Sequence, residues 1–180
     1  MFTLLLCCLV INEIAHAPTD SRTEYVELLH AGSSRLTLTG ATLYAERSAP
    51  RPISARPLQI EPGSFIVLVR DGEAFSQTFP GVPFLEVAGW PSLNNAGDRV
   101  AIAVDGIELD AVAYDAEWGR GPESLERLDP AGPSHHRINW RPSLSIGTPG
   151  RRNPRYAPDT PPPRLIYAAV FDPDLSLIPT

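Results

Sequence analysis

The stretch that decides the fold is RVAIAVDGIELDAVAY, residues 99–114. Val100, Ile102 and Val104 alternate with Arg99, Ala101 and Ala103, which is the period of a strand with one buried face. Asp105-Gly106 follows, and a second run begins at Ile107 and reaches Tyr114. Asp-Gly between two such runs specifies a two-residue hairpin turn, because that turn needs positive φ at its central positions. The segment is therefore an antiparallel hairpin, and the rest of the chain is read outward from it.

Upstream, Asn94-Asn95-Ala96-Gly97-Asp98 is turn chemistry, and Phe84 to Trp90 is a weaker strand. Ser64 to Arg70 (SFIVLVR) is apolar on both faces and reads as a central strand. It follows the turn Glu61-Pro62-Gly63. Asp71 can cap a single helical stretch over Gly72 to Thr78, ended by Pro80, and this is the one helix expected. Ser48 to Pro57 holds three prolines and belongs in a loop or at a sheet edge. Nearer the start, Val10 to Ala15 and Tyr25 to His30 are strands, separated by the turn cluster Pro18 to Ser21. Leu36 and Leu38 share a face, Gly40 breaks the alternation, and Leu43 resumes on the other parity, as at a bulge or bend. Downstream, Ser124 to Leu128 is the last short strand, and Gly147-Thr148-Pro149-Gly150 closes the domain near Asn153.

These elements make an all-β protein with two packed, mostly antiparallel sheets and at most one or two short helical turns. The side chains expected inside are Val26, Leu28, Leu38, Leu43, Val67, Val69, Val100, Ile102, Val112, Leu125 and Trp140. Residues 10–153 form the domain. Residues 154–163 are a stiff Pro-rich linker, and 164–180, beginning RLIYAAV, read as the truncated start of a following β domain.

Composition agrees. Twenty prolines in 180 residues disfavour long helices, and 43% hydrophobic with 20% charged residues is ordinary for a folded domain. All fifteen basic residues are Arg, and the net charge is -6, which disfavours non-specific binding of nucleic acid by the whole surface. Cys7 and Cys8 are adjacent, so no internal disulfide is expected. The apolar run Leu4 to Ile11 is too short for a membrane span. Residues 1–9 also look like part of an export signal, with Ala15-His16-Ala17 as a small-x-small cleavage site. The competing reading makes this region a plain first strand, which such a cut would remove.

An ordered set of landmarks runs through the domain: Asn12-Glu13-Ile14; Glu24 to Leu28; Leu38-Thr39-Gly40; Pro62-Gly63 before SFIVLV; Ser92 to Asn95 with Gly97-Asp98; Asp105-Gly106 with Asp110 and Tyr114; Ser124 to Arg127; Asn139-Trp140; and Gly147 to Gly150 with Asn153. In order and spacing these resemble the lamin tail domain family, over about 80% of the chain by the span Val10 to Asn153. One departure is Ala41, where the family often has Trp. The resemblance implies an immunoglobulin-like β-sandwich from an exported or cell-surface bacterial protein, often carrying further β domains or hydrolase domains. It implies no catalytic residues and no cofactor.

The residues themselves offer few chemical sites. Asn94, Asn95, Asp98, Asp105 and Asp110 could supply oxygens to calcium, but the segment has too few carboxylates at alternate positions, and turn formation is preferred. His16, His30, His135 and His136 show no metal-binding spacing. Arg137, Arg141, Arg151, Arg152 and Arg155 lie in a stretch free of acids, Ser134 to Ala157, and are the candidate anion-binding residues. Glu27 and Arg127 each sit on a short apolar strand, where a charge is costly unless paired, and are expected to form a buried structural pair. There is no phosphate loop or nucleophile elbow. The expectation is a non-catalytic structural or interaction module, outside the cell or on its surface, that spaces or anchors other domains of the same polypeptide or cell-surface components. The alternative is an accessory substrate- or DNA-binding module attached to a hydrolase or nuclease.

Overall fold

The computed structural model describes residues 8–119 and 121–156. The expectations for residues 1–7, for the linker beyond residue 156 and for 164–180 lie outside the described residues.

In chain order the elements are β1 (Leu9–Ala15), β2 (Tyr25–His30), β3 (Leu36–Leu38), β4 (Ala41–Ala45), β5 (Arg51–Pro52), β6 (Leu58–Ile60), β7 (Phe65–Val69), α1 (Gly72–Thr78), β8 (Leu85–Glu86), β9 (Gly97–Val104), β10 (Ile107–Asp115), β11 (Leu125–Arg127) and β12 (Trp140–Pro142). Single 3₁₀ turns cover Ser21–Thr23 and Arg137–Asn139, both of which the sequence pattern leaves as loop. One sheet has six strands in the order β12-β11-β1-β2-β7-β8, a second has four in the order β10-β9-β4-β5, and β3 pairs with β6 in a two-stranded ribbon. The described pairings are antiparallel except β7 with β8.

The sheets share one apolar core. Ile11, Ile14, Val26, Leu28 and Leu125 from the first sheet meet Leu43, Val100, Ile102 and Val112 from the second, with Leu36, Leu38 and Ile60 of the ribbon along the side. All eleven side chains expected inside are buried. At Gly40 the chain passes from the β3–β6 ribbon into β4 of the four-stranded sheet, so the broken parity marks a change of sheet. Of the three prolines of 48–57, Pro52 lies in β5 at the edge of the four-stranded sheet, and Pro50 and Pro57 lie in the flanking loops.

The hairpin forms as its sequence dictates. Ile107 lies opposite Val104, and both turn residues have positive φ, 50° at Asp105 and 77° at Gly106. No atom lies within 4 Å of where a Cβ on Gly106 would sit. Gly106→Ala should therefore cost only the strain of a Cβ in the left-handed backbone region, about 1–2 kcal/mol, measurable as a lower urea midpoint with unchanged slope.

The six-stranded sheet has a second face, turned away from the core. At one end α1 covers it. Asp71 caps the helix by accepting from the Ala74 N–H at 2.9 Å. Phe75 and Phe79 stand edge-on to Tyr25, each ring 5.7 Å away. Val67, Val69 and Ala15 complete this smaller cluster. The middle of the same face is covered by the segment 147–153.

β1 is the interior strand that organises both faces. All seven of its residues are buried, and it lies between β11 and β2, so a signal cut after Ala17 would remove the strand on which both neighbours pair. Its register shifts at Asn12. Leu9 and Ile11 face the core before the shift and Ile14 after it. The bulge resets the alternation so that Glu13 points to the far face.

Candidate functional site

The structural pair expected from Glu27 and Arg127 does not form. Both side chains are buried, yet they sit on opposite faces of one sheet. Arg127 shares a parity with Leu125 and faces the core, whereas Glu27 lies between the core residues Val26 and Leu28 and faces away. Side chains alternate strictly along a strand, so the two cannot meet through the sheet.

Arg127 instead pairs with Asp110 at 2.9 Å, across the sandwich. β10 carries a bulge between Glu108 and Asp110, after which Asp110 lies opposite Ile102 on the core-facing side. Four of the five guanidinium N–H groups have partners. The guanidinium donates to Asp110 Oδ2 and to the carbonyls of Ile11 at 3.1 Å, Gly132 at 2.5 Å and Asp129 at 3.2 Å. The Trp140 ring lies 5.9 Å from it. Asp110 also accepts the Ile11 N–H at 2.8 Å and the Ser134 hydroxyl. Where the Asn12 bulge interrupts the β1 ladder, this ion pair thus takes up both backbone groups of Ile11.

The far face holds what the sequence reading missed. Glu13 lies in register with Glu27 on one side and Glu126 on the other. Three glutamates stand in a row across β11, β1 and β2, each 0% exposed. Among the described residues none of them has an ion-pair partner. Hydroxyls and amides serve them instead. Glu13 Oε1 accepts from the Tyr25 hydroxyl at 2.5 Å, the Ser124 hydroxyl at 2.5 Å and the Thr148 N–H at 2.8 Å. Glu126 Oε1 accepts from Ser143 at 2.6 Å and the Thr148 hydroxyl at 2.9 Å, while its Oε2 has no partner. Glu27 accepts from Asn12 Nδ2 at 2.8 Å and the Gly150 N–H at 2.5 Å. Burial, more than any neighbour, pushes the Glu13 and Glu27 carboxyls above the usual carboxylate range, Glu27 to about 8, with repulsion between the two next for Glu27.

Four donors of this network come from one short segment: the N–H and hydroxyl of Thr148, the Gly150 N–H and the Asn153 amide. Asn153 and Asn12 exchange hydrogen bonds, Asn12 Nδ2 to Asn153 Oδ1 at 3.2 Å and Asn153 Nδ2 to the Asn12 carbonyl at 3.3 Å. Asn153 Nδ2 also reaches the Arg127 carbonyl at 2.9 Å. The segment Gly147 to Asn153 is therefore bolted onto the first strands of the domain.

The five candidate anion-binding arginines are all exposed, and they do not form one constellation. Arg137 lies against Glu117, donating to its carbonyl at 2.7 Å. Arg141 turns its guanidinium back onto the Trp140 carbonyl at 2.7 Å. Arg152 lies 4.1 Å over the Tyr156 ring, at the mouth of a cleft of about 410 Å³ floored by Leu29 and Phe65 and edged by His30 and Gly32.

The oxygen-rich turns hold backbone. Asp98 accepts from the N–H groups of Glu46, Asn94 and Arg99, and Asn94 Oδ1 from that of Ala96. Among the described residues no group of three or more His, Cys, Asp or Glu is placed to hold a metal ion. His135 and His136 stack on each other at 4.6 Å. His16 is buried against Tyr114 at 4.5 Å with both ring nitrogens unpartnered, and burial lowers its pKa to about 4. No described helix is long and apolar enough to cross a membrane.

Comparison of the chain with protein-family models and with curated proteins finds no match. The network above is built from motifs that stand out in the sequence: Asn12, Glu13, Glu27, Asp110, Ser124, Glu126, Arg127, Thr148 and Asn153.

Proposed function

We propose that this chain is a non-catalytic structural or interaction module of an exported bacterial protein, built on the immunoglobulin-like plan that its lamin-tail landmarks imply, and that it spaces or anchors neighbouring domains. The observation that carries this reading is the mutual hydrogen bonding of Asn12 and Asn153. Chain entering through β1 and chain leaving after residue 153 are held side by side. A domain tied at its base in this way projects from a chain as a rigid knob and presents its surface at a fixed position. The strongest polar groups are turned inward to hold that base. Glu13 is wholly buried and its Oε1 already accepts from three internal donors, which leaves little access for a substrate.

A second reading, an accessory substrate- or DNA-binding module, draws on one observation. Arg151, Arg152 and Arg155 are exposed and make no ion pair among the described residues. The two readings separate in one set of assays on the purified chain. The first expects no turnover of ester, glycosidic or phosphodiester substrates with or without divalent metal. It also expects any retention of duplex DNA to vanish between about 50 and 200 mM salt, as counterion release dictates. Metal-dependent turnover would overturn it. DNA binding that persists at high salt, and is lost in the Arg151→Ala/Arg152→Ala double variant, would put the second reading in its place.

A further inference from the structure

We propose that Glu13 and Glu27, in the buried row Glu126–Glu13–Glu27, form a proton-operated latch: it seats the segment Gly147–Asn153 on the sheet while these two carboxyls retain protons, and releases that segment when they are lost.

The geometry carries the argument. Three carboxyl groups occupy adjacent register positions on neighbouring strands, where directly opposite side chains lie about 5 Å apart at Cβ. All are inaccessible to water, so like charges there repel far more strongly than on a surface. Among the described residues no cation pairs with them. On β12, Arg141 is in register with Glu126 but forms no ion pair with it, and its Nη1 donates to backbone carbonyls. Arg127 is on the other face of β11. From β2 the titratable neighbour is Tyr25, which donates to Glu13, and whose own ionisation burial pushes well above its usual range. β7 contributes Val67 opposite Glu27, and α1 and its C-cap contribute Phe75 and Phe79 around Tyr25. In the closing segment Arg151 and Arg152 point to solvent, Arg152 against Tyr156. The roof over the row is thus Gly147, Thr148 and Pro149, all buried, held by the same donors that the carboxyls accept. Removing protons from the row leaves one way to relieve the repulsion without unfolding the sandwich, which is to admit water by lifting that roof.

The sign follows from linkage. Glu13 and Glu27 hold their protons more tightly when the segment is seated than when it is open. Below the free carboxyl value both states are protonated and the latch is at full strength. As pH rises from there to about 8, the value for seated Glu27, the open state binds fewer protons and gains on the seated one. Seating is strongest on the acid side and is lost in the mildly alkaline range. The inference rests on the packing and titration of this network and holds whichever reading of the module's function is right.

Residue-resolved hydrogen exchange on the full chain tests it. The Thr148 and Gly150 amides donate to the row and report its opening directly. After correction for intrinsic exchange, their opening equilibrium should rise between pH 6 and 8 by up to tenfold per pH unit for each linked proton, so by up to a hundredfold where Glu13 and Glu27 titrate together. Protection of Val100 and Ile102 in β9 should stay flat. Glu27→Gln, which cannot ionise, should shrink the slope at Gly150. Should that variant fold poorly, the side-chain carboxyl shifts of Glu13 and Glu27 in the unaltered chain give the titration itself. Protection at Thr148 and Gly150 that is constant from pH 5 to 9 would overturn the latch. A fall shared equally by Val100 and Ile102 would also overturn it, since the event would then be global unfolding.

Discussion

Arg127→Met is expected to cost about 3–5 kcal/mol, because it leaves the carboxylate of Asp110 buried without its cation. For a domain of this size that lowers the melting temperature on the order of 10 °C. The side-chain contacts explain why Met is not rescued by its volume. Three carbonyls, those of Ile11, Gly132 and Asp129, lose a donor together with Asp110. Arg127→Lys should recover less than half the loss, since one ammonium cannot span partners that the planar fork reaches from three nitrogens. A double-mutant cycle decides which acid is the partner. Arg127→Met with Asp110→Asn should show coupling of at least about 1 kcal/mol, as for residues in one hydrogen-bonded network, whereas Arg127→Met with Glu27→Gln should be close to additive. Coupling to Glu27 in place of Asp110 would contradict the opposite-face arrangement described here.

That pairing also shows how far the sequence could be read. Local signals carried well. The alternation around Asp105-Gly106, the Asp71 cap with Pro80 beyond it, and the two-faced apolar run at Phe65 to Val69 are each decided within about ten residues, and each element formed where those residues indicate. That Glu27 and Arg127 are buried was legible too, because both interrupt short apolar strands. Their partners were not, because a partner depends on which strands adjoin and which face each residue takes. The Asn12 bulge has a cue in the sequence: Leu9 and Ile11 share a parity that Ile14 breaks, the same signal as at Gly40. Only with β1 placed between β11 and β2 do Glu13, Glu27 and Glu126 become a row, and nothing local announces that order. For the same reason Gly147-Thr148-Pro149-Gly150 reads as a plain closing turn, although in the fold it supplies donors to all three carboxyls.

The geometry of that closing segment leads to the other large expected effect. Gly147→Ala should destabilise the domain by about 3 kcal/mol or more, at the upper end of what overpacking costs. A Cβ on Gly147 would stand 2.1 Å from the Tyr25 hydroxyl oxygen and 2.9 Å from Glu13 Oε1. Neither atom is free to retreat. Tyr25 is wedged between Phe75 and Phe79 and donates to Glu13, whose Oε1 also accepts from Ser124 and Thr148. The residue also has φ of 155°, which L side chains rarely adopt. Gly106→Ala provides the calibration, since it meets the backbone penalty with open space around it. If the clash at Gly147 is real, its variant should lose clearly more than the hairpin variant in the same urea titration, and the excess should fall when Tyr25→Phe removes the hydroxyl in a double variant. Equal losses at the two glycines would mean that the segment shifts aside at little cost, and that the carboxyl row does not depend on how closely Gly147 approaches it.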